Sequence, residues 1–352
     1  MKRLFHPELL NGPFGDPALL VDMQFERRAL LLDMGDMPTC PTRKILRITH
    51  AFVSHAHMDH FMGLDRIVRL CLGRDRALHI FGPPGLIDQV GHRLTGYTWN
   101  LVESYPTEFN VTVTEFDGGP RSPSARFGTV TGFAREPRPD RDTPDGVLLE
   151  EDAFRIRAAV LDHRTPCLAF ALEERQHVNV WKDRLDALGL PTGPWLRELK
   201  HAVLRGDPDD TPIPVPPARG QTPDRGSMLP LGRLKAEVLH LAPGQKIGYV
   251  VDAVYSPENA RRIVALVRDA DVLFIESPFM EAEAAQAAAK YHLTTRQAGA
   301  LARAADVKHL VPFHFSPRYA DREHAVRREV AQAFGAEPET PVTGPARARP
   351  GG

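Results

Sequence analysis

Apolar runs separated by turn residues dominate the start of the chain and indicate short strands. Residues 19–33 predict two strands around a polar turn, and residues 48–55 ("ITHAFVSH") predict one buried strand. From residue 59 to residue 72 the apolar side chains recur at helical spacing. A single helix is therefore predicted directly after the buried strand.

The middle of the chain continues with strand patterns. Residues 76–85 predict a strand and a turn, and Pro83 and Pro84 in that turn open a helix predicted to end at about Gly96. Strand patterns return at 109–116 and 154–172. The stretch between them, 117–146, is rich in Gly, Pro, Arg and Asp, so loops and turns are predicted there.

In the last third, strand and helix patterns alternate cleanly. One of these helices begins at Thr294, and Thr294 and Gln297 have the spacing of a capping box. The predicted strands cover 246–253, 271–277 and 309–316, and the predicted helices cover 257–270, 294–307 and 321–334.

These patterns predict one α/β domain over 1–334, with helices layered outside sheets. The Pro-rich stretch 206–230 is expected to be an exposed connection. Residues 335–352 lack hydrophobic periodicity, and we expect a disordered tail there.

Composition narrows the function classes. The 352 residues carry a net charge of -1, so no global basic field gathers nucleic acid. Binding of nucleic acid would need a local basic patch, such as the arginines in 121–141, which also fit a solvated loop. No apolar window is long enough for a membrane span, and the N-terminus lacks a secretory pattern, so we expect a cytoplasmic protein. Three scattered cysteines predict neither a disulfide framework nor a thiolate zinc site.

The stretch "SHAHMDH" places His55, His57, Asp59 and His60 where a buried strand leads into a helix. Imidazole nitrogen and carboxylate oxygen are the usual ligands of zinc and similar metals. His55 and His57 stand two apart on an extended segment and point the same way. The spacing suits two adjacent metals; a single structural zinc and a solvated surface loop are the alternatives.

This "HAHMDH" run matches the His-x-His-x-Asp-His signature of the metallo-β-lactamase superfamily, and four further segments narrow the resemblance. Residues 160–174, 189–200, 247–277 and 291–319 resemble, in order, segments of ribonuclease Z. The resemblance implies the metallo-β-lactamase αββα sandwich, in which two mixed β-sheets are flanked by helices.

The resemblance also implies a set of metal ligands for two Zn²⁺ ions, with Mn²⁺ as the other option. Each distant ligand also admits a structural role, as a satisfied histidine or a strand-end aspartate. The first ion is assigned to His55, His57 and His163, the second to Asp59, His60 and His314, and Asp252 is expected to bridge the two.

Further roles follow from the same resemblance. Asp59 is expected to orient the nucleophile, His292 to protonate the leaving oxygen, and Glu276 to orient His292. Arg318 could hold a substrate phosphate, or could belong to a structural ion pair. The substrate-binding residues implied are Arg318, Ser316, Gly193 and Pro194.

The implied activity is a metal-dependent hydrolase of the ribonuclease Z type, which removes the 3′ trailer from precursor tRNA with water activated by the metals. The alternatives are another phosphodiester, an ester, thioester or lactam substrate, and a non-catalytic RNA-binding protein. Departures from the family pattern at 34–40 and in the arm region 173–235 bear on tRNA specificity. A homodimer is also implied by the resemblance.

Overall fold

The computed structural model describes residues 3–23, 26–217 and 227–335. Two mixed β-sheets pack face to face, and helices cover their outer faces. In the first sheet the strands follow chain order, and β3 to β6 run parallel while the pairs at both ends are antiparallel. Its strands are β1 (Phe5–Leu9), β2 (Leu19–Met23), β3 (Ala29–Leu32), β4 (Ile48–Phe52), β5 (Arg76–Gly82), β6 (Phe109–Glu115), β7 (Arg121–Gly128) and β8 (Arg135–Asp142).

The second sheet has the order β18-β17-β16-β11-β10-β9. Strands β16, β17 and β18 run parallel, so their carboxyl ends meet at one edge. The strands are β9 (Val147–Glu150), β10 (Phe154–Asp162), β11 (Pro166–Glu174), β16 (Lys246–Val250), β17 (Val272–Glu276) and β18 (His309–Phe313).

Alternation along the strands divides the core into layers. Leu19 and Val21 face the second sheet, whereas Leu20 between them packs against the helices outside. The outer helices of the first sheet are α1 (Thr42–Ile45), α2 (Met58–Phe61), α3 (Leu64–Cys71) and α4 (Leu86–Thr95). The helices that follow β16 in the chain are α8 (Pro257–Val267), α9 (Ala284–Ala289), α10 (Thr295–Ala304) and α11 (Glu323–Phe334). This arrangement is the αββα sandwich predicted from the sequence.

An arm with its own small hydrophobic core is inserted between β11 and β16. Its first and last strands pair with each other, and Ile213 and Val215 of an inner hairpin are buried in its core. The arm contains β12 (Gln176–Val180), α5 (Lys182–Ala187), α6 (Trp195–Arg205), β13 (Pro212–Val215), β14 (Ser227–Pro230), α7 (Leu231–Val238) and β15 (Leu239–Pro243). The exposed connection predicted for 206–230 is therefore wrong at 212–215 and 227–230, which form the inner hairpin, whereas 206–211 is a mostly exposed loop and 218–226 lies outside the described residues.

Two further sequence predictions need correction. The loops predicted for 117–146 are wrong over most of that range, which holds β7 and β8. Strand β8 reads "REPRPDRD" and forms the edge of its sheet, where prolines and charges are tolerated because one side needs no pairing. The single helix predicted over 59–72 is two helices, which are separated by Met62 and Gly63. The chain packs tightly against residue 35 at Gly63, where a Cβ would lie 2.4 Å from the Gly35 oxygen.

The remaining predicted strands and helices are present with shifted ends, and Thr294 and Gln297 do form a capping box. No helix in the described ranges is long and apolar enough to cross a membrane. Of the predicted tail, 336–352 lies outside the described residues. Short 3₁₀ helices cover Val102–Ser104, Thr129–Thr131, Pro144–Gly146, Glu281–Glu283 and Pro317–Arg322.

Candidate metal centre

Strand ends from both sheets converge on one site. Strand β4 leads into the "HAHMDH" run, and His163 lies in the turn between β10 and β11. On the second sheet, Asp252 follows β16, Glu276 ends β17 and His314 follows β18. Since these three strands are parallel neighbours, their carboxyl ends bring the three side chains to one edge.

The first group of metal-ligand types consists of His55, His57, His163 and Asp252. One donor atom from each lies within 4.8 Å of the others. Asp252 Oδ2 is 3.6 Å from His55 Nε2 and 3.4 Å from His163 Nε2. Side chains from both sheets therefore face a common point, as the sequence motif and the resemblance led us to expect.

A second group of the same kind lies beside it. Asp59, His60 and His314 also bring one donor atom each within 4.8 Å. Asp59 Oδ2 lies 3.5 Å from both His60 Nε2 and His314 Nε2. Asp252 adjoins this group as well, because its Oδ2 is 3.5 Å from His60 Nε2 and its Oδ1 is 3.0 Å from His314 Nδ1. The Asp252 carboxylate thus lies between the two groups.

Unpartnered polar atoms are concentrated at this site. Within the described ranges, His55 Nε2, His60 Nε2, Asp252 Oδ1 and His314 Nδ1 are buried and make no hydrogen bond of good geometry, although Asp252 Oδ1 and His314 Nδ1 lie 3.0 Å apart and pair when the imidazole is protonated. A buried polar atom without a partner is costly, and native proteins contain few of them. Imidazole and carboxylate donors of this kind suit a zinc-like cation, so the residues present fit a metal centre.

The opposite ring nitrogens of the histidines are held by outer partners. Asp33 accepts from His60 Nδ1 at 2.9 Å, and the Tyr291 carbonyl accepts from His163 Nδ1 at 2.8 Å. For His55, Nδ1 lies 3.1 Å from the Ser54 hydroxyl. Such partners fix the tautomer and leave Nε2 as the metal-binding atom.

Asp33 is a functional candidate that the sequence patterns do not single out. Its carboxylate is fully buried and also accepts the Ser54 N–H at 2.6 Å, the Ser54 hydroxyl at 2.9 Å and the Tyr249 hydroxyl at 2.9 Å. The one signal in the sequence is a lone Asp at the end of the apolar run "LLLD". An acid there must find partners in the fold, but the run does not say which.

Two of the predicted ligands have strained backbones. Asp252 has a φ of 41° and His314 a φ of 56°, in the left-handed region that L residues rarely occupy. His314 directly follows β18 and Asp252 lies two residues after the end of β16, so this conformation turns the chain sharply beyond each strand end. Such strain, about 1–3 kcal/mol per residue, is concentrated at functional sites in proteins.

The electrostatics differ between the two groups, because burial and neighbouring histidines lower the pKa of His55 and of His57, whereas carboxylates surround His60. Burial alone would raise the pKa of Asp252, but the neighbouring His314 and His60 hold it well below its ordinary value. Burial opposes charge on His60, yet the Asp252 and Asp33 carboxylates raise the pKa of His60 well above its ordinary value. The carboxylates thus create a potential that attracts a cation.

A buried carboxylate is hydrogen-bonded to His292 beside the two groups of metal-ligand types. His292 Nδ1 donates to Glu276 Oε2 at 2.7 Å, and Glu276 Oε1 accepts the backbone N–H groups of Ala253 and Leu293. Burial works against ionisation, but His292 lowers the pKa of Glu276 to about 2. The Glu276 carboxylate in turn raises the pKa of His292 against the effect of burial. The two side chains are thus hydrogen-bonded to each other, and the roles expected for them stay a prediction.

The predicted substrate-binding residues lie in two places. Arg318 Nη1 donates to Glu283 at 2.9 Å and to Gln286 at 3.0 Å, which is the structural ion pair weighed from the sequence. Ser316 precedes the 3₁₀ helix that contains Arg318. Gly193 and Pro194 lie in the arm, where Pro194 caps α6. Contact of these four residues with substrate remains a prediction.

Three of the five arginines in 121–141 contact other groups of the protein closely. Arg126 pairs with Glu108 and Glu136, and Arg135 pairs with Asp88. Arg141 lies over the ring of Phe81 with its guanidinium carbon 5.3 Å from the centroid. These contacts favour a structural role over a basic patch for nucleic acid.

Comparison with known proteins identifies the family. The ribonuclease Z of Deinococcus radiodurans is 31% identical over 331 residues, which cover 93% of this chain and 94% of that protein. The ribonuclease Z of Bacteroides thetaiotaomicron is 28% identical over 89% of this chain and 84% of its own. The structure of the metallo-beta-lactamase fold protein YhfI from Bacillus subtilis covers 94% of this chain and 92% of its own, with a TM-score of 0.52 and 14% identity, and shows the fold. No protein-family model matches the chain. The chain belongs to the ribonuclease Z family of hydrolases with the metallo-β-lactamase fold.

Proposed function

We propose that this protein is a dinuclear metal-dependent endoribonuclease that removes the 3′ trailer from precursor tRNA. The observation that carries the proposal is the pair of adjacent donor groups on either side of the Asp252 carboxylate, where buried His55 Nε2 and His60 Nε2 make no hydrogen bond. Full-length similarity to ribonuclease Z supports the choice of substrate.

His55, His57 and His163 would hold one ion, and Asp59, His60 and His314 the other, with Asp252 shared. Neutral imidazoles and carboxylates favour Zn²⁺, and Mn²⁺ is compatible with the oxygen donors. Two such ions, when bound, activate water and neutralise the negative charge that develops on a phosphodiester.

The chain's own residues supply the remaining chemistry. Asp59 is half-buried and adjoins the open side of the site, where its carboxylate can orient the attacking water. Glu276 fixes His292 Nδ1, which leaves Nε2 to deliver a proton to the leaving oxygen. Since Glu276 is held by two backbone N–H groups, the imidazole orientation is set before substrate binds.

A rival role exists for His292. Asp252, Glu276, His292 and His314 also bring one donor atom each within 4.8 Å, so this group could hold a metal itself. The Glu276 hydrogen bond favours the proton-transfer role, because it already uses Nδ1, the nitrogen nearest to Asp252.

The test is cleavage of a precursor tRNA with a defined 3′ trailer by the metal-loaded protein, with the cut mapped at nucleotide resolution. A cut at the trailer junction supports the proposal. Hydrolysis of small aryl phosphodiesters without cleavage of precursor tRNA would remove the tRNA assignment and leave the phosphodiesterase. Faster turnover of a lactam or thioester than of any phosphodiester would overturn the proposal.

A further inference from the structure

A buried amide, Asn259, joins the backbone on either side of the centre. Asn259 lies in the first turn of α8 and is 2% exposed. Its own N–H donates to the hydroxyl of Ser256, which caps the helix. The side-chain amide of Asn259 takes no part in this cap and makes its hydrogen bonds outside the helix.

The amide bonds to two separate segments. Its Oδ1 accepts the Asp162 N–H at 3.0 Å, and its Nδ2 donates to the Asp162 carbonyl at 2.9 Å and to the Val254 carbonyl at 2.8 Å. The Val254 N–H also donates to the Asp162 carbonyl at 3.0 Å. Both amide hydrogens and the amide oxygen are thus used, which fixes the orientation of the group.

These segments carry two of the proposed ligands. Asp162 directly precedes His163, and Val254 follows Asp252 by two positions. Strand β16 ends at Val250, so the ladder of the sheet does not hold the segment after it. Left-handed φ values at Asp252 and at Arg164, 41° and 61°, disfavour these turns unless other bonds hold them.

We propose that Asn259 is a positioning residue that sets the separation of His163 and Asp252 before metal binds. This inference rests on the proposed function. The side chain bridges Asp162 and Val254, which are far apart in the sequence, and it supplies no proposed metal ligand. Its removal would let the two donors, now 3.4 Å apart, separate in the metal-free protein.

Two substitutions and a matched control test the proposal. Asn259→Ala removes all three bonds, and Asn259→Asp keeps the shape but places a carboxylate against two carbonyl oxygens. Ser256→Ala removes the cap of the same helix and leaves the Asp162 and Val254 contacts intact. All are measured for zinc affinity by competition with a chromophoric chelator, for thermal stability and for cleavage of a small phosphodiester.

We expect both Asn259 variants to lose at least about tenfold in zinc affinity, as outer-shell changes do at other metal sites. Ser256→Ala should lower the melting temperature and keep the zinc affinity of the unchanged protein. Equal affinity in all four proteins would overturn the inference but not the proposed function. If the unchanged protein binds no zinc, the proposed function itself fails.

Should the Asn259 variants not fold, hydrogen exchange of the unchanged protein decides. The amides of Asp162 and Val254 should already be protected in chelator-treated protein, because Asn259 and Asp162 hold them without metal. Rapid exchange of both amides that slows only when zinc is added would show that metal, and not Asn259, orders the two segments.

Discussion

Substitution of Asp33 by Asn tests whether an outer carboxylate sets the metal-binding nitrogen of His60. The two side chains have the same shape, and Asn tolerates the left-handed backbone at this position, where φ is 56°. Any effect of Asp33→Asn therefore comes from exchanging an acceptor oxygen for a donor nitrogen. Steric change contributes little.

The hydrogen bonds determine how the substituted amide must sit. The Ser54 N–H lies 2.6 Å from Oδ1 and needs an acceptor, so the new NH₂ replaces Oδ2. There the NH₂ group faces the hydroxyls of Ser54 and Tyr249, which can rotate to accept a hydrogen bond. It also faces His60 Nδ1, which donates to Oδ2 in the unchanged protein. His60 can accept only by moving its proton to Nε2, the nitrogen proposed to bind metal.

This change of tautomer should lower affinity for the ion held by His60 by a factor of about 10–100, which corresponds to about 1.4–2.7 kcal/mol. The other ion should be affected less. Competition with a chromophoric chelator gives the two affinities, and two-bond ¹H–¹⁵N spectra of the imidazole report the tautomer directly.

Tyr249→Phe is the matched control, because it removes one donor to the same carboxylate and leaves the His60 contact in place. It should lower the free energy of unfolding by about 1 kcal/mol and leave metal affinity unchanged. Equal affinities in Asp33→Asn and the unchanged protein, or equal losses in both variants, would refute the reasoning.

Two further predictions concern other side chains. His292→Gln should retain both ions and lose a factor of about 10²–10⁴ in kcat on precursor tRNA, since the proton donor is removed; loss of one ion by elemental analysis would instead make His292 a ligand. Burial and the neighbouring His79 lower the pKa of His50 from 6.5 to about 3. As the pH falls below 6.5, His50 is therefore protonated in the unfolded chain and stays neutral in the folded chain. Stability from this group is complete above that pH and should fall by about 2 kcal/mol between pH 7 and pH 5. Urea unfolding at both pH values should show this loss in the unchanged protein and not in His50→Phe, and equal pH dependence in both would contradict the assignment.

The sequence predicted the local half of the centre and only part of the rest. The "HAHMDH" run is compact, and its histidines and aspartate indicate metal binding from the sequence alone. His163, Asp252 and His314 are single residues at strand ends, each with an ordinary structural alternative, and they were identified only through resemblance to a family. Their convergence depends on tertiary structure, which pairs β16, β17 and β18 in parallel.

Other features gave little signal in the sequence because their partners lie far away in the chain. Asp33 is held by Tyr249, 216 positions later, and neither residue forms a motif. Strand β8 lacks hydrophobic alternation since its edge position exposes most of it to solvent. The fold of the arm was missed for a similar reason, because its core draws one to three residues from each of several short segments.

The central claim is that seven side chains hold two metal ions that the reaction requires. The most direct measurement is a zinc titration of chelator-stripped protein, with bound metal and cleavage of precursor tRNA recorded on the same samples. We predict saturation at two ions per chain, with cleavage rising as the second ion binds. Full cleavage by the stripped protein, or saturation at one ion with full activity, would contradict the account.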